Sequence, residues 1–286
     1  MHIIGPVFLV FSLLCFVFNI LSLIILLRTI DLRQKQFYCL ALYLSISDAV
    51  IGFETISFYS IDQYTEFTEI PLIITGTILK ASIAGTMIFS LTQVLMICFE
   101  RLNATLQISN VNLKRITSNK AVGISFIVTH LYTFTVPVAE FLQNGNPCVI
   151  KSTLLRFLIF DFSVIILTVA IVTIYLLIIV RIVMQNKKMQ AFVEPLASNN
   201  NSEQDIKEST KRRKKNIITL GIIILIALIS TMPRCVTSAI ALYLGNTTAI
   251  TKSLEISNHF MLINPLMDPV IYILRIKEYR QRLRCK

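Results

Sequence analysis

The sequence predicts an all-α integral membrane protein: a bundle of seven transmembrane helices followed by a short amphipathic eighth helix. Three observations predict it. The 286 residues are 55% hydrophobic and only 15% charged, with a mean hydropathy of +0.71. A soluble domain of this size exposes too much surface to carry so few charges. The apolar residues come in blocks of about 20 or more, the length that crosses hydrocarbon, and a backbone in lipid satisfies its own polar groups only as a helix or a closed barrel. The basic residues gather on one side of those blocks.

Seven blocks cover roughly residues 5–28, 37–60, 71–100, 121–142, 153–184, 215–243 and 254–274. The third, fifth and sixth exceed what a bilayer needs and are expected to project into water. The third and seventh are interrupted by polar residues, which is where function sits in a membrane helix. The first block lacks the basic start and small-residue cleavage site of a signal peptide. It is expected to be a signal anchor with only a few residues outside.

With the N-terminus outside, Arg28, Arg33 and Lys35 fall in the first inner loop, and Arg101, Lys114, Arg115 and Lys120 in the second. The third inner loop receives the run Lys211-Arg212-Arg213-Lys214-Lys215, and the tail adds Arg275, Lys277, Arg280, Arg282, Arg284 and Lys286. The positive-inside rule makes this side the cytoplasm and the chain a multi-pass protein, expected at the plasma membrane. The net charge of +11 then reflects topology and contact with anionic lipids rather than nucleic-acid binding.

The domain organisation follows: residues 1–274 form the seven-helix domain, with a partly disordered third inner loop over about 186–211. Residues 275–286 form the basic amphipathic segment and C-terminus. The six cysteines show no metal-type or redox spacing. Cys285, beside the membrane, is a candidate for palmitoylation or an unmodified thiol. Asn246-Thr247-Thr248 is a glycosylation sequon in an outer loop.

Burying a polar group in hydrocarbon costs several kcal/mol unless it is paired. Asn19, Asp48 and Ser90 nevertheless fall near mid-membrane in blocks one to three, and Asn264 and Asp268 in block seven. Spacing alone leaves two readings: a hydrogen-bonded packing network, or a hydrated cluster of hard oxygen ligands holding a cation such as Na+ at Asp48. Glu100-Arg101 closes the third block at the cytoplasmic boundary. Pro233 and Pro269 each remove a backbone hydrogen bond and kink a helix, and kinks serve as hinges in switching proteins.

These residues resemble a family. Leu-Ser-Ile-Ser-Asp48, Phe99-Glu100-Arg101-Leu102 and Asn264-Pro-Leu-Met-Asp268-Pro269-Val-Ile-Tyr272, with Asn19 and Pro233, follow the order of landmarks in class A (rhodopsin-like) G-protein-coupled receptors. The end of the seventh block and the tail look most like melanocortin and adenosine receptors, and Ile271 to Glu278 looks like the same region of odorant receptors. The resemblance implies that Arg101 meets a heterotrimeric G protein and is restrained at rest by Glu100. It makes Tyr175 and Tyr272 the tyrosines that swing inward on activation, and Asp48, Ser90, Asn264 and Asp268 a sodium pocket.

The departures are equally specific. The chain has no tryptophan, so the family's helix-4 tryptophan is missing and Thr231 stands in place of the toggle tryptophan. Leu102 replaces the usual tyrosine, Leu167 the helix-5 proline, and Gly76 the helix-3 cysteine, so the common disulfide to Cys148 cannot form. Arg213 lies where some receptors place a glutamate that locks the arginine. Two cations cannot make that lock, and basal activity is expected.

Ile83 stands where amine receptors carry an aspartate, and Leu262 where opsins carry the retinal lysine, so a non-aminergic extracellular ligand is expected: a peptide, nucleoside, lipid, odorant or small anion. Lys80 and Arg234 are the notable outer-half cations, with Glu54, Glu140, Asp161, Glu255 and His259 the other candidates. Arg234 either grips a ligand carboxylate or phosphate or pairs internally with Asp161. No nucleophile–base pair or metal-ligand set points to an enzyme. The rival readings are a non-signalling decoy receptor and, with no internal repeat to support it, a small transporter or channel.

Overall fold

The computed structural model describes residues 4–28, 36–64, 70–106, 110–144, 153–193, 200–245 and 247–275. Its helices are α1 Ile4–Arg28, α2 Gln36–Tyr64, α3 Ile70–Ala104, α4 Val111–Ile116, α5 Asn119–Asn144, α6 Thr153–Arg156, α7 Phe162–Val193, α8 Asn200–Leu244, α9 Thr248–Met261 and α10 Ile263–Arg275. A π-helical segment, Phe157–Asp161, joins α6 to α7.

Local chemistry sets the boundaries. The Asn110 side chain caps α4 by accepting from the amides of Asn112 and Leu113, and Thr247 caps α9 by accepting from the amide of Ile250. Gly245, with φ +77°, ends α8 in the left-handed region that glycine enters without a Cβ clash. Hydroxyls within the spans bond to carbonyls a turn back, as in Ser12 to Phe8, Thr55 to Ile51 and Thr92 to Ile88, so they need no partner from lipid.

Among the described residues, six helices are singly long and apolar enough to cross a membrane. The seventh span is divided into α9 and α10 at Leu262. Pro265 has no N–H for the Met261 carbonyl, and the chain tightens there: the Leu262 amide bonds to His259 O at 3.2 Å, a short i→i−3 bond. The long third, fifth and sixth blocks become helices of 35, 32 and 45 residues. At about 1.5 Å per residue, α8 is more than twice as long as the hydrocarbon is thick.

That length reaches into the expected inner loop. Residues 186–193 continue α7 and residues 200–211 begin α8, so helix occupies most of the segment read as partly disordered. Its polar composition concealed good helix formers: Glu203 precedes Lys207 and Glu208 precedes Arg212 by four residues, the spacing of helical ion pairs, with no Gly or Pro between residues 200 and 220. Of the amphipathic segment expected over 275–286, residues 276–286, with Cys285, lie outside the described residues, as does the sequon residue Asn246.

The bundle packs with α3 at its centre, against α2, α5 and α7; α8 bridges α7 to α9 and α10, and α10 returns to α1. Polarity is arranged oppositely to a soluble protein. Val10, Leu131 and Ile166 are 54%, 66% and 53% exposed, whereas Asn19, Asp48 and Gln93 are fully buried. An apolar exterior around polar side chains is what a bundle solvated by lipid requires.

Candidate functional site

Mid-membrane, the structure brings together the five polar residues singled out by sequence. Asn19 (α1), Asp48 (α2), Ser90 (α3), and Asn264 and Asp268 (α10) are all buried. Ser90 Oγ donates to Asp48 Oδ1 at 2.9 Å. The Asn19 amide donates to the Pro265 carbonyl at 2.7 Å and to the Cys15 carbonyl at 3.0 Å. Pro265 is the residue whose carbonyl Pro269, lacking an N–H, leaves unbonded in α10. The kink thus creates an acceptor, and α1 supplies its donor.

The cluster is not closed. Asp48 Oδ2, Asp268 Oδ2, Asn264 Oδ1 and Asn19 Oδ1 are buried with no hydrogen-bond donor. Such orphaned acceptors are rare in a folded interior. Near them lies a cavity of about 20 Å³, lined by Ser90, Asn264, Ser230 and Thr231 and by the apolar Ile51, Met87, Leu91, Met261 and Pro265; it has room for one water or small ion, and neither Asp48 nor Asp268 lines it. Carboxylate, amide and hydroxyl oxygens are the donor set for a hard cation, so the residues fit the Na+ that the sequence suggested.

Toward the C-terminal end of α3, Arg101 Nε lies 3.1 Å from the Glu100 carboxylate. Its guanidinium carbon stands 4.0 Å from the ring centroid of Phe37 at the start of α2. This cation–π stack was not anticipated, because nothing in sequence relates residue 37 to residue 101. Gln36 fixes the same end of α2 through a bond to the Thr117 carbonyl, and Gln185 of α7 bonds to the Thr105 carbonyl at 2.5 Å. Tyr175 packs where α8 has no side chain: a Cβ at Gly221 would lie 2.4 Å from the Tyr175 hydroxyl. Pro233 lies within α8 and Pro269 within α10. Tyr272 is carried by α10, but its side chain, like that of Arg213, lies outside the described residues.

In the outer half the structure favours the internal reading of Arg234. Its Nε lies 3.0 Å from Asp161 Oδ1, its Nη1 donates to Asn258 Oδ1, and Phe160 lies 5.6 Å from its guanidinium carbon. The π-helical segment ends at Asp161, and the extra residue such a turn accommodates is often found at functional positions. Asn258, on α9, is a third partner that sequence reading missed. Thr231 bonds to the Ala227 carbonyl at 2.8 Å and faces the mid-membrane cavity. Lys80 stacks over Phe58 at 5.0 Å, and His259 packs edge-on against Phe8 at 4.0 Å, with its Nδ1 2.6 Å from the Glu255 carbonyl. Tyr59 touches both Phe8 and Phe58. These outer residues therefore form one aromatic group rather than a shared pocket with Arg234. Ile83 is half-buried on α3.

A fourth association, Glu54 with Ser82, Thr86 and His130, joins three helices. Of its members only Glu54 stood out in the sequence. Among the described residues no group of three or more His, Cys, Asp or Glu could hold a metal ion; the mid-membrane site depends on amides and hydroxyls as well.

No curated protein sequence matches this one significantly. Over residues 18–272 the chain matches the model of the seven-transmembrane receptors of the rhodopsin family, a range that takes in Asn19, Asp48, Ser90, Arg101, Asp161, Arg234, Asn264 and Asp268. The chain belongs to the rhodopsin-like family of seven-transmembrane receptors.

Proposed function

We propose that this receptor lies in the plasma membrane with its N-terminus outside, binds a non-aminergic extracellular ligand, and activates a heterotrimeric G protein. The observation that carries the reading is the open polar cluster beneath the kinked α10. A packed interior with four unbonded oxygens can be completed in more than one way, and a bundle with two arrangements is what a ligand can bias. Asp48, Ser90, Asn264 and Asp268 would hold Na+, whose charge lets two neighbouring carboxylates stay ionised away from water.

The protein's own residues supply the rest of the mechanism. Pro233 breaks the hydrogen-bond ladder of α8, and outward movement of the cytoplasmic half about that point opens a cleft at Arg101. At rest Arg101 is held by Glu100 and by the face of Phe37. The missing helix-6 acid is therefore replaced in part by an aromatic brace, which favours low rather than high basal activity.

Guanine-nucleotide exchange on a panel of G proteins, measured without ligand, tests this. Wild type should give a small signal, and Phe37→Ala should raise it about fivefold, as the loss of about 1 kcal/mol of cation–π restraint requires. Arg101→Ala should abolish it. No exchange from any of the three, with each folded and at the surface, would instead identify a non-signalling receptor.

A further inference from the structure

The association of Glu54, Ser82, Thr86 and His130 lies apart from the sodium-type cluster and from Arg101. Ser82 Oγ donates to one Glu54 carboxyl oxygen, and Thr86 Oγ1 lies 3.1 Å from the other. The same Thr86 oxygen is 3.0 Å from the Ser82 carbonyl and 3.1 Å from His130 Nε2. The second ring nitrogen, Nδ1, is 2.8 Å from the Phe126 carbonyl. Gly85 permits this approach of α5 to α3: a Cβ there would lie 3.0 Å from His130 Cδ2 and 2.8 Å from Thr133 Oγ1. Thr86 is fully buried, and the Phe126 ring, 4.2 Å from the imidazole, covers it.

The hydrogens can be counted. A carbonyl only accepts, so His130 Nδ1 carries a proton, and in neutral imidazole Nε2 is then a bare lone pair. Thr86 has one hydroxyl hydrogen. If Glu54 is ionised and His130 neutral, that hydrogen faces three acceptors, the Glu54 carboxylate, His130 Nε2 and the Ser82 carbonyl, and serves one of them. The Ser82 carbonyl lies within α3 and has its helical N–H donor, so the conflict that matters is between the three side chains, and one added proton removes it. On His130 it makes Nε2–H donate to Thr86, whose hydroxyl then donates to Glu54. On Glu54 it makes the acid donate to Thr86, whose hydroxyl then donates to neutral His130. The two arrangements interconvert by reversing the same two hydrogen bonds, and each leaves no net charge in the membrane.

We propose that Glu54, Thr86 and His130 form a binding site for a single proton that ties α2, α3 and α5 together. The groups facing it are Glu54 from α2, Ser82 and Thr86 from α3, and His130 and Thr133 from α5. Of these, Glu54 and His130 are the titratable groups, while Lys80, further out on α3, stacks on Phe58. The folded site binds this proton more tightly than the side chains of an unfolded chain do. The stabilisation is therefore present at low pH and lost as pH rises and the proton leaves.

Thermal unfolding of the purified full-length receptor in lipid nanodiscs between pH 5 and 9, around the range where imidazole titrates, tests this. Wild type should lose a few degrees of its midpoint across the range. Glu54→Gln supplies a permanent N–H toward Thr86 and should flatten the profile. A His259→Gln control should retain the wild-type profile, since His130, His259 and His2 are the three histidines of the chain. Superimposable wild-type and Glu54→Gln profiles would overturn the proposal. Should Glu54→Gln fail to fold, the proton is read in the His259→Gln background, as a doubly protonated His130 by ¹⁵N resonance or as a carboxylic-acid C=O band. One of these present at pH 5 and absent at pH 9 supports the site. A His130 that stays neutral together with a Glu54 that stays ionised throughout refutes it.

Discussion

Two buried carboxylates in this bundle are balanced in opposite ways. Asp161, in the outer half, has a guanidinium at 3.0 Å, and that guanidinium has Asn258 as a second acceptor. Asp48, at mid-membrane, has one oxygen bonded to Ser90 and the other with no donor, beside a second carboxylate, Asp268, in the same condition. Both carboxylates are almost wholly buried, so burial does not distinguish them. A charge balanced by a neighbouring side chain holds two helices in one arrangement. A charge left unbalanced by the chain needs something the chain does not own, an ion or a proton, and its environment can therefore change with the state of the receptor. The outer pair is a fastening, and in the function proposed above the mid-membrane cluster is where state is set.

The largest expected effect breaks the fastening. Arg234→Leu strands Asp161 in a low-dielectric interior, and removing one partner of a buried pair costs about 3–5 kcal/mol. The variant should show little surface expression and a strongly lowered thermal midpoint. Asp161→Leu combined with it should recover most of the loss, because replacing both charges by apolar groups removes the uncompensated one. A single Arg234→Leu variant as stable as wild type would show that the pair fastens nothing. The second effect reads the open cluster. Replacing choline chloride by NaCl at fixed ionic strength should raise the wild-type midpoint, by on the order of 1–3 kcal/mol of stabilisation near saturation. Asp48→Asn should be indifferent to the exchange. An Asp48→Asn variant that kept the full sodium response would move the ion site elsewhere.

The contrast between the two regions was only half legible in the sequence. Helix lengths, their number and the five mid-membrane polar residues follow from hydropathy and from the penalty on polar groups in lipid, because both act on each residue singly. Partner choice does not. Arg234 was readable as a ligand anchor or as the partner of Asp161, and what decided it is the π-helical turn at Phe157–Asp161 together with Asn258, neither of which has a local sequence signal. Phe37 under Arg101 and His130 beside Thr86 were invisible for the same reason. Each pairs residues more than forty positions apart, on helices whose rotation about their own axes no periodicity fixes when lipid surrounds the bundle. The inner loop misled in the other direction: its polar residues resembled a disordered linker, yet they favour helix once α7 and α8 begin to carry them into water.

The smallest predicted effect tests where the two regions meet in kind, since one bond of the open cluster is itself a fastening. Asn19 donates at 2.7 Å to the carbonyl of Pro265, an acceptor that exists because Pro269 cannot bond to it within α10. Asn19→Ala should therefore lower the thermal midpoint by the worth of one hydrogen bond, about 1 kcal/mol. Pro269→Ala gives the Pro265 carbonyl a helical donor of its own, and in that background Asn19→Ala should cost much less. The difference between the two backgrounds is the coupling energy that a double-mutant cycle isolates. A cost unchanged by Pro269→Ala would mean that Asn19 acts through its other partner, the Cys15 carbonyl in its own helix. The tie between α1 and the kink of α10 would then contribute nothing to holding the cluster open.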